Sequence, residues 1–203
     1  MAEKWCALQI EKEKQYGIYH PDRTWFIVQR ENWVVGNVSP HMRPLHMVDF
    51  SSLADQQRIE LLTELLAIYC KFAAQTEKRL DEGLSNFALL DGKLWYLDDD
   101  IYPWDSFASF SAMLANWLRQ SSSLGLNGDQ WRQLGINLKP LLRLYSSSAD
   151  DMVYEGIHDQ FVGTFEAYKN CFVSKLRSAK MINMAKSAIG ACHDRDGTHG
   201  RCG

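Results

Sequence analysis

Arg79-Leu80-Asp81-Glu82-Gly83-Leu84-Ser85-Asn86-Phe87-Ala88-Leu89-Leu90-Asp91-Gly92-Lys93-Leu94-Trp95-Tyr96-Leu97-Asp98-Asp99-Asp100 is the stretch on which the reading of the chain turns. Phe87 to Leu90 and Leu94 to Leu97 are short apolar runs, and Asp91-Gly92 between them is the dipeptide that favours a tight hairpin turn. The spacing predicts two antiparallel strands, with Asn86 at the entrance and Asp98 at the exit. Pairing brings those ends together, a neutral amide oxygen beside a run of carboxylates. That is a donor set suited to a hard, octahedral cation such as Mg²⁺.

Upstream, Ser52-Leu53-Ala54-Asp55 reads as a helix start, and Ile59, Leu62, Leu66 and Tyr69 recur at helical spacing. A helix over 52–76 is expected, leading directly into Asp81. Helix, acidic loop, amide, hairpin and acid cluster follow in that order.

In this order the segment resembles the catalytic-loop and metal-loop region of the protein-kinase-like superfamily, over roughly residues 45–120. The resemblance implies Asp81 as the base that orients or deprotonates an acceptor hydroxyl. It implies Asn86 and Asp98 as metal ligands, with Asp100 beside them, and Mg²⁺ and ATP as cofactors. Lys12 and Lys14 are the lysines that would face the phosphates. Arg79-Leu80-Asp81 departs from the family's H-R-D, and Asp98-Asp99-Asp100 departs from D-F-G. No G-x-G-x-x-G is present, Gly17 and Gly36 being isolated, and no helical pattern between Lys14 and Thr24 leaves room for the helix whose glutamate pairs with the phosphate-facing lysine.

The expectation is therefore a reduced kinase-like domain, a pseudokinase with a regulatory role rather than a fast phosphotransferase. Two alternatives stay open. One is an active small phosphotransferase using Asp81. The other is a non-catalytic domain that binds a partner protein through its helical surface, in which case the acid run is a solvated turn and Lys12 and Lys14 a solvated edge.

The amino-terminal part reads as strands at Trp5 to Ile10, Tyr16 to Tyr19, Thr24 to Gln29 and Trp33 to Val38, a compact antiparallel meander. Ser39 to Asp49, with Pro40, Pro44, His41 and His46, reads as a linker. The fold class expected is α+β, a small antiparallel amino-terminal sheet followed by a mostly helical lobe with one β-hairpin. The divisions are a reduced lobe over 1–48, a helical part over 49–186 and a disordered tail over 187–203.

Further helices are expected after Asp105, with Phe107, Phe110 and Trp117 on one face, and after Asn127, with Pro140 kinking or breaking it. The longest helical signal runs from Val153 through Ile157, Phe161, Phe165, Tyr168, Phe172 and Leu176 to Lys180 or beyond. The tail carries Cys192, His193, His199 and Cys202, the residue types of a zinc site, although adjacent Cys-His suits one tetrahedral centre poorly.

The chain has 203 residues, 46% apolar, with 22 basic against 25 acidic side chains and a formal charge of −3. That balance offers no basic footprint for nucleic acid. No apolar run is long enough for a membrane span, and Met1-Ala2-Glu3-Lys4-Trp5 is too polar to open a signal peptide, so a cytoplasmic protein is expected. Five scattered cysteines argue for reduced thiols rather than a disulfide framework.

Overall fold

The computed structural model describes residues 2–160 and 166–176. It is an α+β arrangement of several helices with three small antiparallel sheets.

The first element corrects the sequence reading. Trp5 to Ile10 and Tyr16 to Tyr19 are not strands, because Ala2–Tyr16 forms one helix, α1. Alanine, glutamate, lysine, leucine and glutamine fill it and only Ile10 is β-branched, so propensity favours the helix over the strand that its aromatic residues suggested. It ends at Gly17, whose φ of 65° admits the left-handed turn. The expected four-stranded meander is thus a helix followed by a two-stranded hairpin, β1 (Thr24–Gln29) and β2 (Trp33–Val38).

One face of this hairpin lies against α1, where the Trp5 and Trp25 rings meet edge to face at 5.1 Å. Phe26 pairs with Gly36, Val28 with Val34 and Thr24 with Val38, so these residues share the other face. Phe26, Val28, Val34 and Val38 are exposed there.

Strand β3 (Arg43–Pro44) crosses from the amino-terminal part to pair with β5 (Phe87–Leu90). The long helix α2 (Asp55–Thr76) starts three residues later than expected, since Phe50–Ser52 forms a 3-10 turn capped by Asp49. The Gln57 side chain accepts a hydrogen bond from the Ala54 N–H at 3.0 Å and closes the start of α2. Leu62, Leu65, Leu66, Tyr69, Cys70 and Ala73 make α2 the middle of the main core. Glu77 ends it in the left-handed region.

The central hairpin forms as expected, from β5 and β6 (Lys93–Tyr96), with Leu90 opposite Lys93. Asp91 and Gly92 both have positive φ, 52° and 76°, which a type I′ turn requires. Short strands β4 (Lys78–Leu80) and β7 (Ile101–Pro103), neither foreseen, pair with each other on either side of this hairpin.

Four helices and a short one follow among the described residues. α3 (Ala108–Arg119) begins where Asp105 Oδ2 accepts from the Ser109 N–H at 3.0 Å. The single turn α4 (Ser121–Leu124) follows. α5 (Gly128–Leu142) opens with a reciprocal cap between Asn127 and Gln130. Pro140 does not divide α5 in two, because it falls in the last turn. α6 (Ala149–Gln160) packs on α3, and α7 (Glu166–Leu176) packs on α5. Phe161, Phe165, the continuation to Lys180 and the 187–203 tail with its Cys and His residues lie outside the described residues. No described helix is long and apolar enough to cross a membrane.

Candidate functional site

The β4–β7 pair and the central hairpin together hold the acidic loop. Strand β4 delivers Asp81, whose N–H donates to the Tyr96 hydroxyl at 2.9 Å, and that hydroxyl donates to the Asp100 carbonyl at 3.1 Å. One buried phenol on β6 therefore pins both ends of the loop system. Burial pushes the Tyr96 hydroxyl far up, with the Asp98 and Asp81 carboxylates adding to it, so it stays protonated and a donor.

Asp81 Oδ1 accepts from the Gly83 N–H at 3.1 Å. A Cβ placed on Gly83 would lie 3.2 Å from Ser85 Oγ, 3.4 Å from Asn86 Nδ2 and 3.5 Å from Asp81 Oδ1. Three polar side chains thus gather round one glycine. At the far side of the hairpin mouth, the Leu97 N–H donates to the Asn86 carbonyl at 2.8 Å, so Asn86 stands opposite Leu97 and Asp98 follows one residue beyond it. No hydrogen bond joins their side chains.

The three successive aspartates diverge in role. Asp98 Oδ1 accepts from the Asp100 N–H at 3.3 Å. Asp100 Oδ2 accepts from the Tyr102 hydroxyl at 3.5 Å. Tyr102 titrates above its ordinary value, chiefly through desolvation and then through Asp100, Asp98 and Asp81. At this rim of the hairpin mouth Asp100 is bonded to Tyr102, and Asp98 and Asp81 act on it through their charge.

Asp99 turns the other way. It pairs with Arg23 and accepts from the Asn37 amide at 2.9 Å, fastening the acidic run to the amino-terminal hairpin. Arg23 is itself buried, with Nε 3.3 Å from Glu13, Nη1 donating to the Leu97 carbonyl at 3.0 Å, and its guanidinium over the Tyr19 ring. Sequence spacing gave no sign of this network. A glutamate every few residues along α1 looks solvated until the helix is known to pack on β1.

Beneath the loop, Glu82 is buried and takes a hydrogen bond from the Tyr69 hydroxyl at 2.9 Å. Arg79 lies 3.4 Å from Glu82 and 3.2 Å from Asp105, with its guanidinium over Tyr102. Burial raises the Glu82 pKa, and the Tyr69 bond and Arg79 partly offset that. Glu82 also lines a pocket of about 340 Å³ with His46, Ser85, Asn116 and Ser123.

The two lysines do not join this rim. Lys12 is exposed on α1, and Lys14 lines a separate pocket whose walls include none of Asp81, Asn86, Asp98 or Asp100. Among the described residues no lysine of the amino-terminal part pairs with a helix glutamate, and the helix glutamate that is buried, Glu13, takes Arg23 instead. Among the described residues no three histidine, cysteine, aspartate or glutamate side chains form a metal-binding group. His41 and His46 are both exposed.

Comparison with family models, with curated proteins and with solved structures finds no match to this chain.

Proposed function

We propose that the chain is a reduced kinase-like domain that binds a Mg-nucleotide at the mouth of the central hairpin and acts as a regulatory module rather than a fast phosphotransferase. The observation that supports this reading is the hairpin register, which sets Asn86 opposite Leu97 and brings Asp98, the next residue, to the same hairpin mouth, with the backbones of Asp81 and Asp100 both bonded to the Tyr96 hydroxyl. One amide oxygen and one carboxylate suit a hard cation that keeps water and phosphate oxygens in the rest of its shell, so a larger cluster of protein carboxylates is not needed. Bound there, the cation would neutralise phosphate charge.

The regulatory emphasis has its own support. The Asp81 carboxylate accepts from Gly83 within its own loop. The buried cation of the amino-terminal part, Arg23, is held by ion pairs to Glu13 and Asp99 and by the Leu97 carbonyl. Efficient phosphoryl transfer depends on positioned cations, and this one is committed to the fold.

The test is thermal unfolding of the parent and of Asp98→Asn with ATP, with and without Mg²⁺. Stabilisation of the parent that requires both ATP and Mg²⁺, and that Asp98→Asn loses, supports the reading. A parent that millimolar Mg-ATP leaves unmoved overturns it.

A further inference from the structure

A second pocket, of about 330 Å³, opens between the end of α1, the segment from Gly17 to Arg23 and the outer face of β6. Its walls are apolar and aromatic, from Ile10, Tyr19, Pro21 and Trp95. Its floor is built rather than incidental, since Glu13, Tyr19 and Arg23 are each more than nine-tenths buried. Arg23 is held there by Glu13 and the Leu97 carbonyl, so the floor carries a fixed Glu13–Arg23 pair, with Asp99 on Arg23 from outside the pocket lining.

The charge that is left over sits at the rim. Lys14 and Lys93 both line the pocket and neither has an acidic partner among the described residues, Lys93 lying over the Trp95 ring at 4.0 Å. The His20 Nδ1 accepts from the Asp22 N–H at 3.1 Å, which leaves its other ring nitrogen as the donor. The Tyr19 hydroxyl is buried with no hydrogen-bond partner, and burial keeps it protonated. Two ammonium groups, an imidazole donor and an orphaned hydroxyl surround an apolar slot of the size that small molecules occupy.

We infer that this pocket binds a small organic anion, a phosphate- or carboxylate-bearing molecule with a compact apolar or aromatic body. The two lysines take the anionic head, and the walls of Ile10, Pro21 and Trp95 take the body. None of the residues that carry the nucleotide reading lines this pocket, so the two sites stand or fall separately.

The experiment uses the full chain and follows the Trp95 indole N–H by NMR during titration with phenyl phosphate, benzoate, phenol and inorganic phosphate, without nucleotide or Mg²⁺. Phenyl phosphate or benzoate should shift the Trp95 signal saturably, and which of the two binds tighter identifies the head group. The double variant Lys14→Ala with Lys93→Ala should weaken that binding about tenfold or more, the loss expected for charge-assisted bonds. Lys12→Ala, on the same helix but outside the pocket, should leave it unchanged. Tyr19→Phe, which keeps the ring, reports on the hydroxyl by a smaller loss. The inference is overturned if phenol binds as well as the anions, if inorganic phosphate binds as well as phenyl phosphate, if neither organic anion shifts Trp95, or if Lys12→Ala weakens binding as much as the double variant.

Discussion

Arg23 and Asp99 form an ion pair that ties the segment before β1 to the acidic run after β6. Glu13 completes the arrangement from α1, and the three residues lock the amino-terminal helix and hairpin onto the mouth of the candidate site. The two carboxylates are not equivalent. Glu13 is buried, whereas the Asp99 side chain is 46% exposed. Breaking a buried pair leaves an uncompensated charge, so Glu13→Ala should destabilise by on the order of 3 kcal/mol. Asp99→Asn keeps the Glu13 partner and loses a pair that water already screens, so about 1 kcal/mol or less is expected. Urea unfolding of both variants checks the order, and equal losses would show that burial does not govern this network.

Glu82 gives a pH signature. Its pKa lies above the ordinary value when folded, mainly through burial. The native state therefore holds a proton that the unfolded chain has already lost over the interval between the two values. Stability from this group is full below the unfolded value, about 4.3, and declines as pH rises through the folded one. Glu82→Gln keeps an acceptor for the Tyr69 hydroxyl and cannot titrate. The parent should lose stability relative to this variant as pH rises through that window. Asp49, lowered by hydrogen bonds from Ser51, slopes the other way but is common to both proteins, so the difference isolates Glu82. A difference that stays flat with pH contradicts the assignment.

Why the sequence yielded some of this and not the rest follows from the range of the interactions. The Asp91-Gly92 turn, the α2 stripe and the Asn127 cap are decided by residues a few positions apart, and each stands where its local pattern put it. Trp5 and Ile10 misled because aromatic and β-branched residues count toward strands, while the Glu-Lys run that favours a helix reads equally as a solvated turn. Strands β4 and β7 are three residues each and exist by pairing across the hairpin, which leaves no periodicity to find. That Asn86 and Asp98 flank the hairpin mouth was legible because a two-residue turn fixes the register, which sets Asn86 opposite Leu97. The diversion of Asp99 to Arg23 was not, since it joins residues distant in the chain through a burial that only the packed helix creates.

The α5–α7 contact offers a sharp packing test. A Cβ on Gly135 would lie 2.6 Å from the Phe172 carbonyl oxygen, which is backbone and cannot swing aside. Alanine in a helix interior normally gains about 1 kcal/mol over glycine. Here overpacking costs roughly 1 to 3 kcal/mol, and more where backbone must separate, so Gly135→Ala should be net destabilising. A thermal midpoint at or above the parent's would mean that the two helices are free to move apart.

Asp81 separates the regulatory reading from an active phosphotransferase. Its carboxylate is bonded to the Gly83 N–H in its own loop, while Asp98 follows Leu97, the residue opposite Asn86, at the hairpin mouth. If nucleotide binding runs through the cation ligands, Asp81→Asn should preserve the Mg-ATP thermal shift, because asparagine still accepts from Gly83, and Asp98→Asn should lose it. Ligand at a hundred times its dissociation constant stabilises by about 2.7 kcal/mol, several degrees in a domain of this size, so the two outcomes are well separated. Turnover then decides the role. The regulatory reading expects no ATP consumption above background in the parent or in either variant, whereas a base at Asp81 requires turnover in the parent that Asp81→Asn abolishes while binding persists. Turnover in the parent that survives Asp81→Asn would remove Asp81 from both accounts.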